Sequence, residues 1–251
     1  MSDYDLTDLL ADWPLEPGRI NARKIIGADK KPKLQVRIDL GVLQMEYDGR
    51  PDGQRPKGYE SLLALHSHSK QQYTAGSHAS TGFILSSDEC RELREEAMQY
   101  YHRYIALFPL EDFPNVIRDT NHILDIFELC RACGPNDEDQ RALDPFRNAA
   151  VTMNSRAEAE MAIQAGLTHE AMAALNRGLE ELHIIYQETD RQSSYEHSHE
   201  VLLLRGMREM LVPKLPASQR AELQERIQAA IERENYELAA ILRDELRQMK
   251  D

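Results

Sequence analysis

A chain of 251 residues, 41% hydrophobic and 29% charged, has the balance of a folded globular protein with room for one large core or two small ones. Its net charge of −13 disfavours a broad nucleic-acid surface, and three cysteines are too few for a disulfide framework. The N-terminus, MSDYDLTDLLADWPLEPG, lacks a basic region ahead of an apolar run, and no long uncharged apolar stretch follows, so secretion and membrane insertion are disfavoured and a cytoplasmic setting is expected.

Residues 1–32 read as an irregular basic arm, because Pro14, Pro17 and Gly18 break any helix begun at Leu6. Between Arg19 and Arg37, Arg19, Arg23, Lys24, Lys30, Lys31, Lys33 and Arg37 cluster against the single acid Asp29. Such a run either pairs with the acidic body or meets an anionic ligand. Residues 33–60 form a small β element and a turn-rich loop. Leu34, Val36, Ile38 and Leu40 alternate with polar residues at the period of a half-buried strand. The phase shifts after Gly41, which predicts either a bulge or a second short strand. DGRPDGQRPKG is turn chemistry throughout.

Residues 61–212 are expected to form a helical body. A short helix and a mobile loop fill Ser61 to Ser87. A helix from Ser87 carries Cys90, Leu93, Ala97, Tyr101, Tyr104, Ile105 and Phe108 at helical spacing. Further helices are predicted near Val116–Cys133, Gln140–Gln164, His169–Glu188 and Val201–Leu211, with Gly134, Pro135 and Gly166 as breaks. Short connections imply antiparallel neighbours. Ala159, Ala162, Ala171, Leu175 and Gly178 fall where a tetratricopeptide hairpin places small and apolar residues, so the body is read as a degenerate tetratricopeptide-like helical hairpin, with Ala-rich helix contacts as the simpler alternative.

Reaction motifs mostly fail. Gly58 is followed by Tyr59 where a phosphate-binding loop needs Lys, and neither a nucleophile elbow nor an H-E-x-x-H helix is present. Two HSH tripeptides, His66-Ser67-His68 and His197-Ser198-His199, are the candidate metal ligands, with His78, Glu196 or Glu200 as a third donor. They require an extended backbone, since on a helix the two rings diverge by about 200°. Cys130 and Cys133 close a helix ahead of Gly134, which favours packing over a redox or zinc role. No cofactor is expected.

Residues 213–251 follow Pro213 and Pro216 and read as two helices joined by a tight turn. Leu223, Ile227, Ala230 and Ile231 make one apolar stripe, and Ala239, Leu242, Leu246 and Met249 another. The stripes meet if the chain reverses at Glu234-Asn235, where Asn tolerates a left-handed backbone. The stretch LQERIQAAIERENYELAAILRDELRQM resembles the UVR motif, the helical hairpin of the excision-repair proteins UvrB and UvrC. Leu223, Ile227, Ala230, Asn235, Tyr236, Glu237, Ala239, Ala240, Leu242, Arg243, Asp244 and Leu246 hold the family's register. The resemblance implies docking onto a protein partner, such as another UVR-type hairpin, with Tyr236 as an exposed anchor amid Glu237, Arg243 and Asp244.

The fold class is therefore mainly α, with a small N-terminal β element, a helical body and a UVR-type hairpin. The function expected is a non-enzymatic interaction adaptor, linked to excision repair or stress-protease regulation and able to form a homodimer. A metal-dependent enzyme using the HSH tripeptides and a nucleic-acid accessory protein using Arg19 to Arg37 are the alternatives.

Overall fold

The computed structural model describes residues 6–75, 82–189, 191–211, 217–232 and 235–248; the Pro213–Pro216 linker, His78, Glu234 and Met249 lie outside them. The chain divides into two compact units, Met1–Met153 and Asn154–Asp251, a boundary inside the segment expected to form one helical body.

In the first unit a short helix, α1 (Thr7–Ala11), precedes an antiparallel sheet of β1 (Asn21–Ile26), β2 (Pro32–Ile38) and β3 (Gly41–Glu46), paired in that order. The stretch expected to be irregular thus supplies an edge strand. Its sequence, NARKII, lacks alternation, and cross-strand pairing from Asn21–Arg37 to Ile26–Pro32 makes it a strand. Lys30 takes φ 63° in the β1–β2 turn, where its amide donates to the Gly27 carbonyl at 2.9 Å. Gly41 opens a new strand rather than a bulge. The chain reverses over Asp39 and Leu40, so that Ile38 faces Gly41, and this reversal shifts the apolar phase.

Four of the seven residues of the basic run, Arg23, Lys24, Lys33 and Arg37, are engaged within the unit, while Arg19, Lys30 and Lys31 are exposed. The Arg23 guanidinium lies 4.0 Å over the Trp13 ring and its Nε donates to Gln35 at 2.9 Å. Lys24 sits 3.6 Å over the Tyr47 ring, and Lys33 pairs with Asp29 at 2.8 Å and with Glu46. Arg37 donates to the backbone carbonyls of Trp13 at 3.2 Å and Gly41 at 3.1 Å.

The sheet is joined to α2 (Leu62–Ala75), α3 (Ser87–Leu107), α4 (Phe113–Cys133), α5 (Asp137–Arg141) and α6 (Asp144–Gln164). The α3 terminus is a capping box: the Glu89 amide donates to Ser86 Oγ, and the Ser86 amide donates to the Glu89 carboxylate. A tight turn at Phe108–Leu110, with Glu111 at φ 57°, reverses the chain so that α3 and α4 are antiparallel neighbours. Leu93, Ala97, Tyr104 and Leu107 on α3 and Val116, Ile123 and Ile126 on α4 are buried. The helix predicted from Gln140 is in fact two. The Asp139 amide donates to the Asn136 side chain to cap α5, and Pro145 admits a helix only as a first turn, so α6 starts afresh at Asp144.

The second unit holds α7 (Thr168–Glu188), α8 (Gln192–Tyr195), α9 (His199–Leu211), α10 (Ala217–Glu232) and α11 (Tyr236–Gln248). Gly166, at φ 74°, ends α6, and the Leu167 amide donates back to the Ala162 carbonyl at 2.8 Å. Gly178 lets α7 approach α6 closely: a Cβ there would stand 2.1 Å from Ser155 Oγ. Ala171, Leu175 and Leu182 on α7, with Val201 and Leu204 on α9, are buried.

Candidate protein-docking site

The C-terminal hairpin is built by α10 and α11. Leu223, Ala230, Ala239 and Leu242 are buried and Ile227 and Leu246 half-buried, as two facing apolar stripes require. The small Ala239 sits where the helices come together near the turn. Asn235 is a cap: its side-chain oxygen accepts from the Leu238 amide at 3.1 Å, and its own amide donates to the Ala230 carbonyl at 2.9 Å. One residue thus closes α10 and opens α11.

Four of the remaining predicted positions are exposed, and two of them, Ala240 and Asp244, line a cleft. Tyr236 is 67% exposed, and Ala240, Arg243 and Asp244 are exposed as well, while the side chain of Glu237 lies outside those described. Tyr236, Ala240 and Arg243 recur at i, i+4 and i+7 and therefore share one face. That face carries a tyrosine and an arginine, residue types enriched among the anchors of protein interfaces. Residues 218–251 match the family model of the UvrB/uvrC motif. No curated protein and no solved structure matches the chain. The UvrB/uvrC motif coincides with the described hairpin, so the elements that hold Tyr236 outward are those of the motif itself.

Sequence reasoning missed the hydrophobic residues on another side of α11. Leu238 and Ile241, 40% and 47% exposed, line a cleft of about 1060 Å³ together with Met172 and Leu179 of α7 and Arg208 of α9. The helical spacing of Leu238 and Ile241 is visible in the chain, whereas the opposing wall comes from helices some thirty to seventy positions upstream.

The histidine pairs meet different surroundings. His66 and His68 lie within α2, where the rings point to different sides: His66 is 5% exposed, while His68 is exposed and packs 5.5 Å from the Tyr59 ring. The extended backbone that the metal reading needs is therefore absent at this pair. Burial depresses the His66 pKa, against the pull of Glu89 3.8 Å away. His197 stands in the turn before α9 and His199 opens that helix, both exposed. Among the described residues no group of three or more His, Cys, Asp or Glu side chains is arranged to hold a metal.

The cysteines are free and buried, with Cys90 on α3 and Cys130 and Cys133 on α4. Burial pushes the Cys130 thiol up to about 12 and Cys90 upward too, so both stay protonated and weakly nucleophilic. They fill space in the α3–α4 core. No helix among the described residues is long and apolar enough to cross a membrane.

Ionic chemistry is concentrated inside the first unit. Arg103 and Asp119, with side chains 0% exposed, form a bidentate pair at 2.7 and 2.8 Å, and Arg103 Nη1 donates to the Glu46 and Gly49 carbonyls. Glu96 accepts from the Leu62 amide at 2.7 Å and the Leu63 amide at 3.1 Å, so a carboxylate charge meets the positive end of α2. His122 Nε2 lies 3.0 Å from the same carboxylate, and its ring stacks on Tyr100 at 3.7 Å. The pattern is that of a structural network tying sheet to helices, with each charge saturated by partners.

Proposed function

We propose that this protein is a non-enzymatic docking protein that binds a second helical hairpin of the same kind through the outward face of α11. The observation that carries the reading is Tyr236, an aromatic side chain left 67% exposed by a hairpin that buries Leu223, Ala230, Ala239 and Leu242 between its helices. A two-helix hairpin buries little surface by itself and gains stability by covering such a ring. The UvrB/uvrC motif supports the same direction, because it is known from excision-repair proteins. We assign the partner to that class: a protein bearing a UvrB/uvrC motif, a second copy of this chain included. A place alongside excision repair follows as the pathway reading, with the partner's hairpin rather than DNA as the ligand, a choice supported by the net charge of −13 and by the engagement of Arg23, Lys24, Lys33 and Arg37 within the first unit.

The test is titration calorimetry of the whole chain against a UvrC protein, with light scattering of the chain alone for self-pairing. Saturable association in either experiment, abolished when the chain ends at Leu211, is the expected result. Absence of association in both, or association that survives removal of the hairpin, overturns the reading.

A further inference from the structure

The helix α11 presents two unlike faces. Tyr236, Arg243 and Arg247 are exposed and stand off the cleft, and Leu238, Ile241 and Glu245 follow one another at i, i+3 and i+7 along the cleft wall, which Ala240 and Asp244 also line. Across the cleft stands Arg208 of α9. Its Nη1 lies 3.9 Å from Glu245 Oε1 and donates to Asn176 of α7 at 3.2 Å. The two charged side chains are 18% and 9% exposed, enclosed enough to escape much of the screening that weakens surface pairs. The neighbouring Arg205 is already held by Glu196, with Nη2 donating at 2.9 Å, so Arg208 is the guanidinium on α9 that addresses α11. The Nε of Arg208 is buried without a hydrogen-bond partner, a donor still available to the carboxylate opposite.

We propose that the α7–α9 face is the seat of the chain's own hairpin, and that the Arg208–Glu245 ion pair latches the hairpin there with Leu238 and Ile241 turned inward. In the latched arrangement a partner meets the Tyr236 face alone. A partner that also needs Leu238 and Ile241 must first open the latch, so the pair sets how much of α11 is on offer. Leu238 and Ile241 remain 40% and 47% exposed, as a seat that grips by one ion pair over an unfilled cleft leaves them.

The experiment is hydrogen exchange of the full chain, read by mass spectrometry over residues 236–248, for Arg208→Glu, Glu245→Arg and the double charge exchange. Each single reversal places two like charges across the cleft and should speed exchange about threefold or more, and the double variant should restore protection. Exchange over α3 and α4 serves as the control that the first unit stays folded. Equal exchange in all four proteins overturns the latch. So does a double variant as fast as the sum of the singles, which is the outcome if Arg208 acts only through Asn176. Exchange reports the latch whether or not a partner exists, so its failure is distinct from failure of the docking reading.

Discussion

At the scale of single residues, the most stringent requirement is the buried pair of Arg103 and Asp119. Both side chains are fully enclosed, and the guanidinium donates to two backbone carbonyls besides the carboxylate. Removing the carboxylate leaves an unpaired buried cation, so Asp119→Ala should cost about 3–5 kcal/mol in urea unfolding. A loss below about 1 kcal/mol would show that water reaches the site. Glu96 gives a pH signature. Burial alone would raise its pKa, but His122 and the Leu62 and Leu63 amides outweigh that and hold the carboxyl below its ordinary value of 4.5. A folded-state pKa below the unfolded one means that the group's stabilisation is complete above pH 4.5 and disappears as pH falls through the lower folded value. Glu96→Gln should therefore flatten the fall in urea midpoint over the acid range; parallel curves for the two proteins would refute the assignment.

At the scale of elements, the hairpin turn depends on Asn235. Loss of its cap in Asn235→Ala should destabilise α11 by about 1 kcal/mol, seen as faster amide exchange at its first turn with α3 and α4 unchanged. Unaltered exchange would mean that backbone bonds alone hold the turn. Much of this level was legible in the chain. The capping box at Ser86, the stops at Gly134 and Gly166 and the apolar stripes of α10 and α11 are local signals, and the elements begin and end near them. The strand at Asn21–Ile26 was not, since NARKII becomes a strand only by pairing with β2. Asn235 stands in the sequence where the chain must reverse, and the part its side chain plays there, capping α11, needs the folded hairpin to be seen. The division inside α6 was also hidden, because a continuous helix carries no turn signal where two cores part. The tetratricopeptide likeness rests on the sequence pattern of Ala159, Ala162, Ala171 and Leu175; their burial in α6 and α7 is equally what Ala-rich helix packing produces.

At the scale of the whole molecule, the sequence carries a family signal only at the C-terminal motif. Partners such as Arg103 and Asp119, or Arg208 and Glu245, sit on different helices, and no spacing rule joins them before the chain has folded. The hairpin is the exception, since both its stripes and its exposed ring lie within one short stretch that matches the UvrB/uvrC motif. The central claim is that Tyr236 anchors a partner. It is tested most directly by the dissociation constant of the complex formed through residues 217–251, measured for the native chain and for Tyr236→Ala, with thermal unfolding as the control. Loss of an interface anchor of about 2 kcal/mol predicts affinity weaker by about thirtyfold with the unfolding transition unmoved. Unchanged affinity, or weakening matched by an equal loss of fold, would contradict it.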